Sequence, residues 1–185
     1  MTTPKSIIEA LLFAAPEPLT QARLNAIIPD EELDLAAIVE ELNFDYLQQN
    51  KAITIAAVAG GYQILTIPEV HLYVQRLLNK TRRLQITPAA MEALAIIAYK
   101  QPVSKLELES IRGVGCDSVV RSLLEKELIT IKGRDPGIGR ALLYGTTQQF
   151  LEAFGLNSLQ DLPRLKELSE LMAEEPSPEE TNATE

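Results

Sequence analysis

Apolar positions between residues 87 and 145 follow three helical periods and then two short β-like runs. The third helical period carries a clear apolar stripe: Val119, Val120, Leu123 and Leu124. Leu128–Ile131 and Ala141–Tyr144 are the candidate strands, and the glycines and the proline between them favour a turn. Three helices followed by a β-hairpin are the outline of a winged helix.

Residues with helix-capping chemistry stand at the start of each of these helices. Thr87 is predicted to cap the first helix, with a proline in the first turn, where the missing N–H would be unpaired in any case. Ser104 and Glu107 have the spacing of a capping box for the second helix. Asp117 or Ser118 is predicted to start the third helix.

The front half of the chain repeats this order of apolar periods and turn signals. Three short similarities lie at offsets of 84, 83 and 84 residues: Thr3-Pro4 with Thr87-Pro88, Glu9–Leu11 with Glu92–Leu94, and Pro18–Thr20 with Pro102–Ser104. Helices are predicted near 21–28 and 35–46 from their apolar spacing. Gly60-Gly61 marks a hairpin between strands at Ile53–Val58 and Tyr62–Ile67. The common order indicates an internal duplication.

The sequence therefore predicts a mainly α protein with small β-hairpins, of the α+β class, in which two winged-helix domains stand in tandem. Residues 1–80 form the first domain and residues 81–164 the second. Residues 69–79 read as a further helix that either closes the first domain or bridges the two. Residues 165–185 are rich in Glu, Pro, Ser and Thr, and we expect an acidic disordered tail, because such a segment buries too little apolar area to order.

Composition removes several classes of protein from consideration. The chain has 185 residues, 46% of them apolar, with one cysteine and one histidine. A single cysteine excludes an internal disulfide and a cysteine-rich zinc site. No signal peptide and no apolar run of membrane-spanning length is recognisable, so we expect a cytoplasmic protein without a membrane partner.

Charge is distributed unevenly along the chain. The net charge is −5 for residues 1–80, +2 for residues 81–164 and −6 for the tail. A DNA-binding face needs cations that displace counterions from phosphates. The third helix of the first domain carries Glu40, Glu41 and Asp45 instead. In the second domain, the wing carries the cations Lys132, Arg134 and Arg140. These could contact a phosphate or an acidic protein partner, or they could be ordinary solvated surface charges.

An excess of apolar residues indicates contacts with protein. The first helix of each domain is apolar around nearly its whole circumference, which indicates cover on more than one side. A domain of this size buries only part of its surface. We therefore expect one protein interface on each domain. The alternative is that each first helix is simply the central helix of its core.

Catalytic chemistry is not predicted. Cys116 has no histidine near it in sequence and reads as a residue at a helix start, and His71 reads as a helix-surface residue. Gly113-Val114-Gly115 lacks the Gly-Lys-Ser/Thr ending of a phosphate loop. We expect no catalytic residue, no cofactor and no metal.

Several segments together resemble one family, the bacterial segregation and condensation protein B family, whose members are tandem winged-helix proteins that bind kleisins. The similarity is carried by these blocks: Glu9–Phe13, Gly60–Tyr62, Glu92–Pro102, Ile111–Val114, Leu142–Thr147, Phe154–Leu159 and Asp161–Pro163. A generic winged helix has neither the Ala95–Pro102 block nor the Phe154–Pro163 block.

This resemblance implies a function. Such proteins form homodimers, largely through the first domain, and bind the middle of a kleisin, segregation and condensation protein A, which bridges the heads of an SMC ATPase dimer. The complex condenses and partitions the chromosome during cell division, so a nucleoid-associated subunit that meets DNA only within the complex is expected. The alternative function is a winged-helix transcription regulator that binds DNA by itself.

Two sets of interface residues follow from the apolar helices together with this resemblance. Ile8, Leu11 and Leu12 are predicted to form the dimer interface. Ile96, Tyr99 and Arg134 are predicted to form the partner interface.

Overall fold

A computed structural model of the chain describes residues 3–29, 31–78, 86–137 and 139–164. Its front half has three helices, a hairpin and a further helix: α1 (Pro4–Ala14), α2 (Gln21–Ile27), α3 (Leu35–Gln48), β1 (Ile53–Val58), β2 (Gly61–Thr66) and α4 (His71–Leu77). A 3-10 turn at Pro68–Val70 precedes α4.

The back half repeats this order. Its elements are α5 (Pro88–Lys100), β3 (Val103–Ser104), α6 (Lys105–Arg112), α7 (Asp117–Glu125), β4 (Ile129–Arg134), β5 (Leu142–Thr146) and α8 (Gln148–Phe154). A 3-10 turn at Leu159–Asp161 follows α8. The predicted α+β class with tandem winged helices is confirmed.

Capping residues start the helices of the second half as the sequence predicts. The Thr87 hydroxyl accepts a hydrogen bond from the Ala90 N–H. Ser104 and Glu107 form the reciprocal capping box, and the Ser104 N–H lies 2.8 Å from the Glu107 carboxylate. These bonds, first from the Ser104 backbone and then from its hydroxyl, lower the pKa of Glu107. Helix α7 begins at Asp117, one of the two predicted starts.

Strand pairing shows the duplication directly. In the second half, β3 adds to the hairpin as a third strand, and Val103 lies opposite Tyr144. In the first half the corresponding residue, Leu19, forms an isolated antiparallel bridge with Tyr62. The two Leu19–Tyr62 hydrogen bonds measure 2.8 and 2.9 Å. The same segment before the second helix is therefore attached to the second hairpin strand in both halves.

The first hairpin turn lies one residue earlier than predicted. Ala59 and Gly60 are its central residues, with φ of 51° and 78°, as a two-residue primed turn requires. Gly61 is instead the first residue of β2. A β-carbon on Gly61 would lie 2.9 Å from the Leu19 carbonyl oxygen, so this glycine is needed for the close approach of two backbones.

Each half has its own apolar core. The first consists of Ile8, Leu12, Leu19, Leu24, Leu35, Val39, Leu42, Tyr46 and Ile55. The second is centred on α5 and α7, and its largest fully buried side chains are Leu94, Ile97, Leu108, Leu123, Leu128 and Ile129. The linker at 79–85 and the predicted disordered tail at 165–185 lie outside the described residues, so the exact domain boundaries stay a prediction.

Candidate protein-interaction surfaces

Helix α1 presents its predicted dimer residues to the inside of the domain. Ile8 is 0% exposed and Leu12 is 2% exposed, and both belong to the first core. Leu11 is partly buried and packs against the same core. The prediction of Ile8 and Leu12 as contact residues therefore needs correction, because side chains with almost no accessible surface cannot form an interface in this conformation. On this side, α1 is the central helix of its own core, which was the alternative to an interface helix.

The other sides of the first domain's helices do carry exposed apolar side chains. Phe13 at the end of α1 is 84% exposed, and Phe44 and Leu47 point outward from α3. A DNA-reading helix would present cations at such positions. The outward face of α3 therefore suits an apolar partner better than a phosphate backbone.

Polar contacts fix α1 against α3. Lys5 Nζ lies 2.7 Å from the Asp45 carboxylate and 3.4 Å from that of Glu41, and the bond to Asp45 is the main cause that raises the pKa of Lys5. The Tyr46 hydroxyl donates to Glu9 Oε1 at 2.9 Å. Burial, and then this bond to a carboxylate, raise the pKa of Tyr46 to about 12.

Replacement of Tyr46 by Phe tests this contact. We expect a loss of about 2 kcal/mol in the free energy of unfolding at pH 7, because one hydrogen bond to a carboxylate is removed. A raised folded-state pKa favours neutral tyrosine, so its contribution is complete below pH 10 and declines as pH rises toward 12. Urea unfolding at pH 7, 10 and 11 measures the difference in the free energy of unfolding between the wild-type chain and Tyr46→Phe. This gap should narrow as the pH rises. A gap that is absent or does not change with pH would contradict this assignment.

Helix α4 carries more exposed large apolar side chains than any other described helix of the first half. We call residues 68–78 the α4 arm. No residue of the arm is buried. Its large apolar side chains are 62–79% exposed: Leu72, Tyr73, Leu77 and Leu78. His71 lies at the exposed start of α4, which confirms its interpretation as a helix-surface residue.

The predicted partner residues of the second domain do not form one cluster. Ile96 and Tyr99 lie three residues apart on α5, so they share a helix face. Ile96 packs against the second core, whereas Tyr99 is 36% exposed and its hydroxyl donates to the Pro163 carbonyl at 2.7 Å. Arg134 ends β4, is exposed, and donates to the Arg140 carbonyl at 3.3 Å. No described contact joins Arg134 to the other two.

Cys116 lies inside a polar network at the turn between α6 and α7. It is fully buried, and its N–H donates to Glu109 Oε1 at 2.9 Å. Arg112 donates to the Cys116 sulfur at 3.1 Å and to Glu92 Oε2 at 3.0 Å, and these contacts raise the pKa of Arg112, the sulfur contact first. The residue stands at the N-cap of α7, so its interpretation as a helix-start residue is confirmed.

Comparison with known proteins decides the family. The family described as "Segregation and condensation complex subunit ScpB" matches residues 6–165. This chain belongs to the ScpB family. Segregation and condensation protein B of Syntrophotalea carbinolica is 46% identical over 173 residues, which cover 94% of this chain and 87% of that protein. Its counterpart in Symbiobacterium thermophilum is 47% identical over 159 residues, which cover 86% and 72%.

Two solved ScpB structures are also similar. ScpB from Mycobacterium tuberculosis is 34% identical, with 82% of this chain and 94% of that chain covered and a TM-score of 0.39. A dimer of a ScpB N-terminal domain complexed with a ScpA peptide is 32% identical, with 40% and 91% covered and a TM-score of 0.35. Because both TM-scores are low, membership of the ScpB family is assigned from the sequence matches.

Sequence reasoning missed three exposed apolar side chains in the helix-turn-helix of the second half. Leu106 and Ile111 on α6 and Val114 in the following turn are each more than half exposed. Leu108 is the only buried residue of α6. The signal was available, because an eight-residue helix with apolar residues at 106, 108 and 111 cannot direct all three to one core.

Two negative findings concern the described ranges only. Within them, no helix is both long and apolar enough to cross a bilayer. In the same ranges, no group of His, Cys, Asp and Glu side chains has an arrangement that would hold a metal ion.

Proposed function

We propose that this chain is a non-enzymatic subunit of a bacterial SMC–kleisin complex and binds the kleisin, ScpA, as a homodimer. In this role it takes part in chromosome condensation and partition during cell division. It reaches the SMC ATPase heads through the kleisin and meets DNA only within the complex. Its place is the cytoplasm, in association with the nucleoid.

Self-association is assigned to the first domain, and the repeat supports the α4 arm as its main surface. Ile67 N–H donates to the Ala52 carbonyl at 3.2 Å just before the arm, and Thr147 N–H donates to the Leu128 carbonyl at 3.3 Å just before α8. The two helices thus leave equivalent points of the two halves. Helix α8 buries Phe150 in its own core, whereas no residue of the arm is fully buried.

A second copy of the chain is the proposed cover of the arm. A two-fold homodimer covers the same patch on both subunits, so one contact removes both exposed arms from water. Burial of apolar area contributes about 25 cal/mol per Å². On α1, the partly buried Leu11 and the exposed side chain of Ile7 are proposed as further contacts of the dimer.

Kleisin binding is assigned to the second domain, with Ile96, Tyr99 and Arg134 as the proposed contacts. A kleisin linker that orders on binding loses conformational entropy, and apolar burial on a rigid domain offsets that loss. Two copies in one dimer raise the effective concentration of the second site for the same linker. One observation carries the proposal: each domain of this ScpB family member has exposed apolar side chains in addition to those that form its core.

Replacement of Tyr99 by Glu tests the partner surface. We expect recovery of the kleisin from a native lysate by tagged chain to fall at least tenfold, because a carboxylate replaces a half-exposed aromatic ring that a partner would bury. The matched control is Tyr99→Phe, which keeps the ring but loses the bond to the Pro163 carbonyl. Equal recovery by Tyr99→Glu and the wild-type chain would remove Tyr99 from the surface.

A further inference from the structure

The segment after α8, residues 155–163, is anchored to the second domain at both ends. Leu156 and Leu162 are partly buried against the second core. The Tyr99 hydroxyl donates to the Pro163 carbonyl at 2.7 Å. This segment is part of the block that separates the chain from a generic winged helix, and neither proposed interface explains it.

The start of the same segment also contacts the first domain. Ala59 N–H donates to the Leu156 carbonyl at 2.9 Å, and Gly60 N–H donates to Asn157 Oδ1 at 2.9 Å. Ala59 and Gly60 are the central residues of the β1–β2 turn, and the N–H groups of these two positions are not used by the hairpin itself. Residues almost a hundred positions apart are therefore joined through two otherwise unpaired donors.

The end of α8 directs these acceptors. Gly155 is left-handed, with φ of 65°, and its N–H donates to the Glu152 carbonyl. Leu156 N–H donates to the Leu151 carbonyl at 2.9 Å, as in a Schellman ending. The N–H of Leu156 thus bonds within its own domain, while its carbonyl accepts from Ala59 of the first domain.

Asp161 fixes the position of Asn157. Its Oδ2 atom accepts from the Asn157 N–H at 2.9 Å and from the Ser158 N–H at 2.8 Å. The Asn157 backbone is thereby held, and its side-chain carbonyl faces the Gly60 N–H. Asn157 itself is exposed, so packing in a core does not account for the position of its side-chain amide.

We propose that residues 155–163 are an interdomain clasp, which holds the first hairpin turn against the second domain and so sets the angle between the domains. Asn157 is its positioning residue, and Asp161 holds the clasp in shape. Loss of one such hydrogen bond changes the ratio of docked to undocked domains by about fivefold. The clasp does not depend on which partner the protein binds.

The test measures the distance between the domains in the full-length chain. Spin labels on cysteines introduced at the exposed residues Gln49 and Glu125 report this distance by double electron–electron resonance. Native Cys116 is fully buried, so we expect it to stay unlabelled. An excess of unlabelled chain restricts the signal to distances within one chain. The variants are Asn157→Leu, Asp161→Ala and the control Asn157→Asp, which keeps a side-chain oxygen as acceptor.

We expect one narrow distance distribution for the wild-type chain and for Asn157→Asp. Asn157→Leu and Asp161→Ala should broaden it or add a second population, while circular dichroism stays unchanged because both residues are exposed. A broad wild-type distribution would overturn the clasp. So would narrow, identical distributions in the wild type and both disrupting variants.

Discussion

A chain with Tyr73→Glu and Leu77→Glu is expected to be a folded monomer at concentrations at which the wild-type chain is a dimer. The two side chains are 71% and 79% exposed, so the first core does not depend on them. In a dimer that buries the arm, two carboxylates per chain would be desolvated without partners. Apolar and aromatic interface centres contribute about 2 kcal/mol or more each, so the dimer dissociation constant should rise at least 100-fold.

Sedimentation velocity over a concentration series measures this shift. Gln75→Glu is the matched control, because Gln75 is exposed on the same helix and the change also introduces a negative charge. The control should remain dimeric. A double variant that dimerises like the wild type would exclude the α4 arm from the interface. If the control dissociated equally, added negative charge would explain the effect, and burial of Tyr73 and Leu77 would not be supported.

Gly61→Val is expected to destabilise the first domain selectively. The added β-carbon would meet the Leu19 carbonyl oxygen at 2.9 Å and backbone carbons of Pro18 and Leu19 at 3.0 Å. These are backbone atoms held by the Leu19–Tyr62 bridge, so they cannot move aside without loss of its two hydrogen bonds. We expect a loss of about 3 kcal/mol in the free energy of unfolding, at the upper end of overpacking costs.

Gly60→Ala separates steric conflict from backbone conformation. Gly60 has φ of 78°, but a β-carbon there meets nothing within 4 Å, so the expected loss is about 1 kcal/mol. Hydrogen exchange read by mass spectrometry resolves the domains: peptides of the first core should lose protection in Gly61→Val, while those around α5 and α7 keep theirs. Equal losses for the two glycine variants would show that the contact with Leu19 is not the cause.

Local chemistry explains why much of the fold could be predicted from the sequence. The Thr87 cap, the Ser104–Glu107 box and the start of α7 depend on residues within one helical turn, so sequence spacing determines them. The duplication was also visible, because the segments before the second helix of each half keep the same order. Their shared attachment to the second hairpin strand confirms it.

The position of the first hairpin turn shows where local reasoning fails. Two adjacent glycines predict a turn, but Gly60 serves the turn and Gly61 serves the close approach to Leu19. The sequence does not distinguish these two needs, because the second depends on a segment about forty residues away. The turn therefore lies one residue from its predicted place.

Two of the three predicted dimer residues, Ile8 and Leu12, lie in the core for a related reason. A helix that is apolar all round does not reveal which side meets its own core, so Ile8 and Leu12 could not be separated from Phe13 by pattern alone. The apolar spacing of the α4 arm likewise predicted a helix without saying what covers it. Burial is a property of the assembled domain, and the structure was needed to divide core from surface.

The most direct test of the central claim is one titration of the purified full-length chain at physiological ionic strength. The chain is titrated with a peptide from the middle of the kleisin and, separately, with a DNA duplex, while light scattering reports its mass. The account predicts a dimer that binds the kleisin peptide and leaves the duplex unbound. A monomer that binds the duplex tightly and ignores the peptide would contradict it.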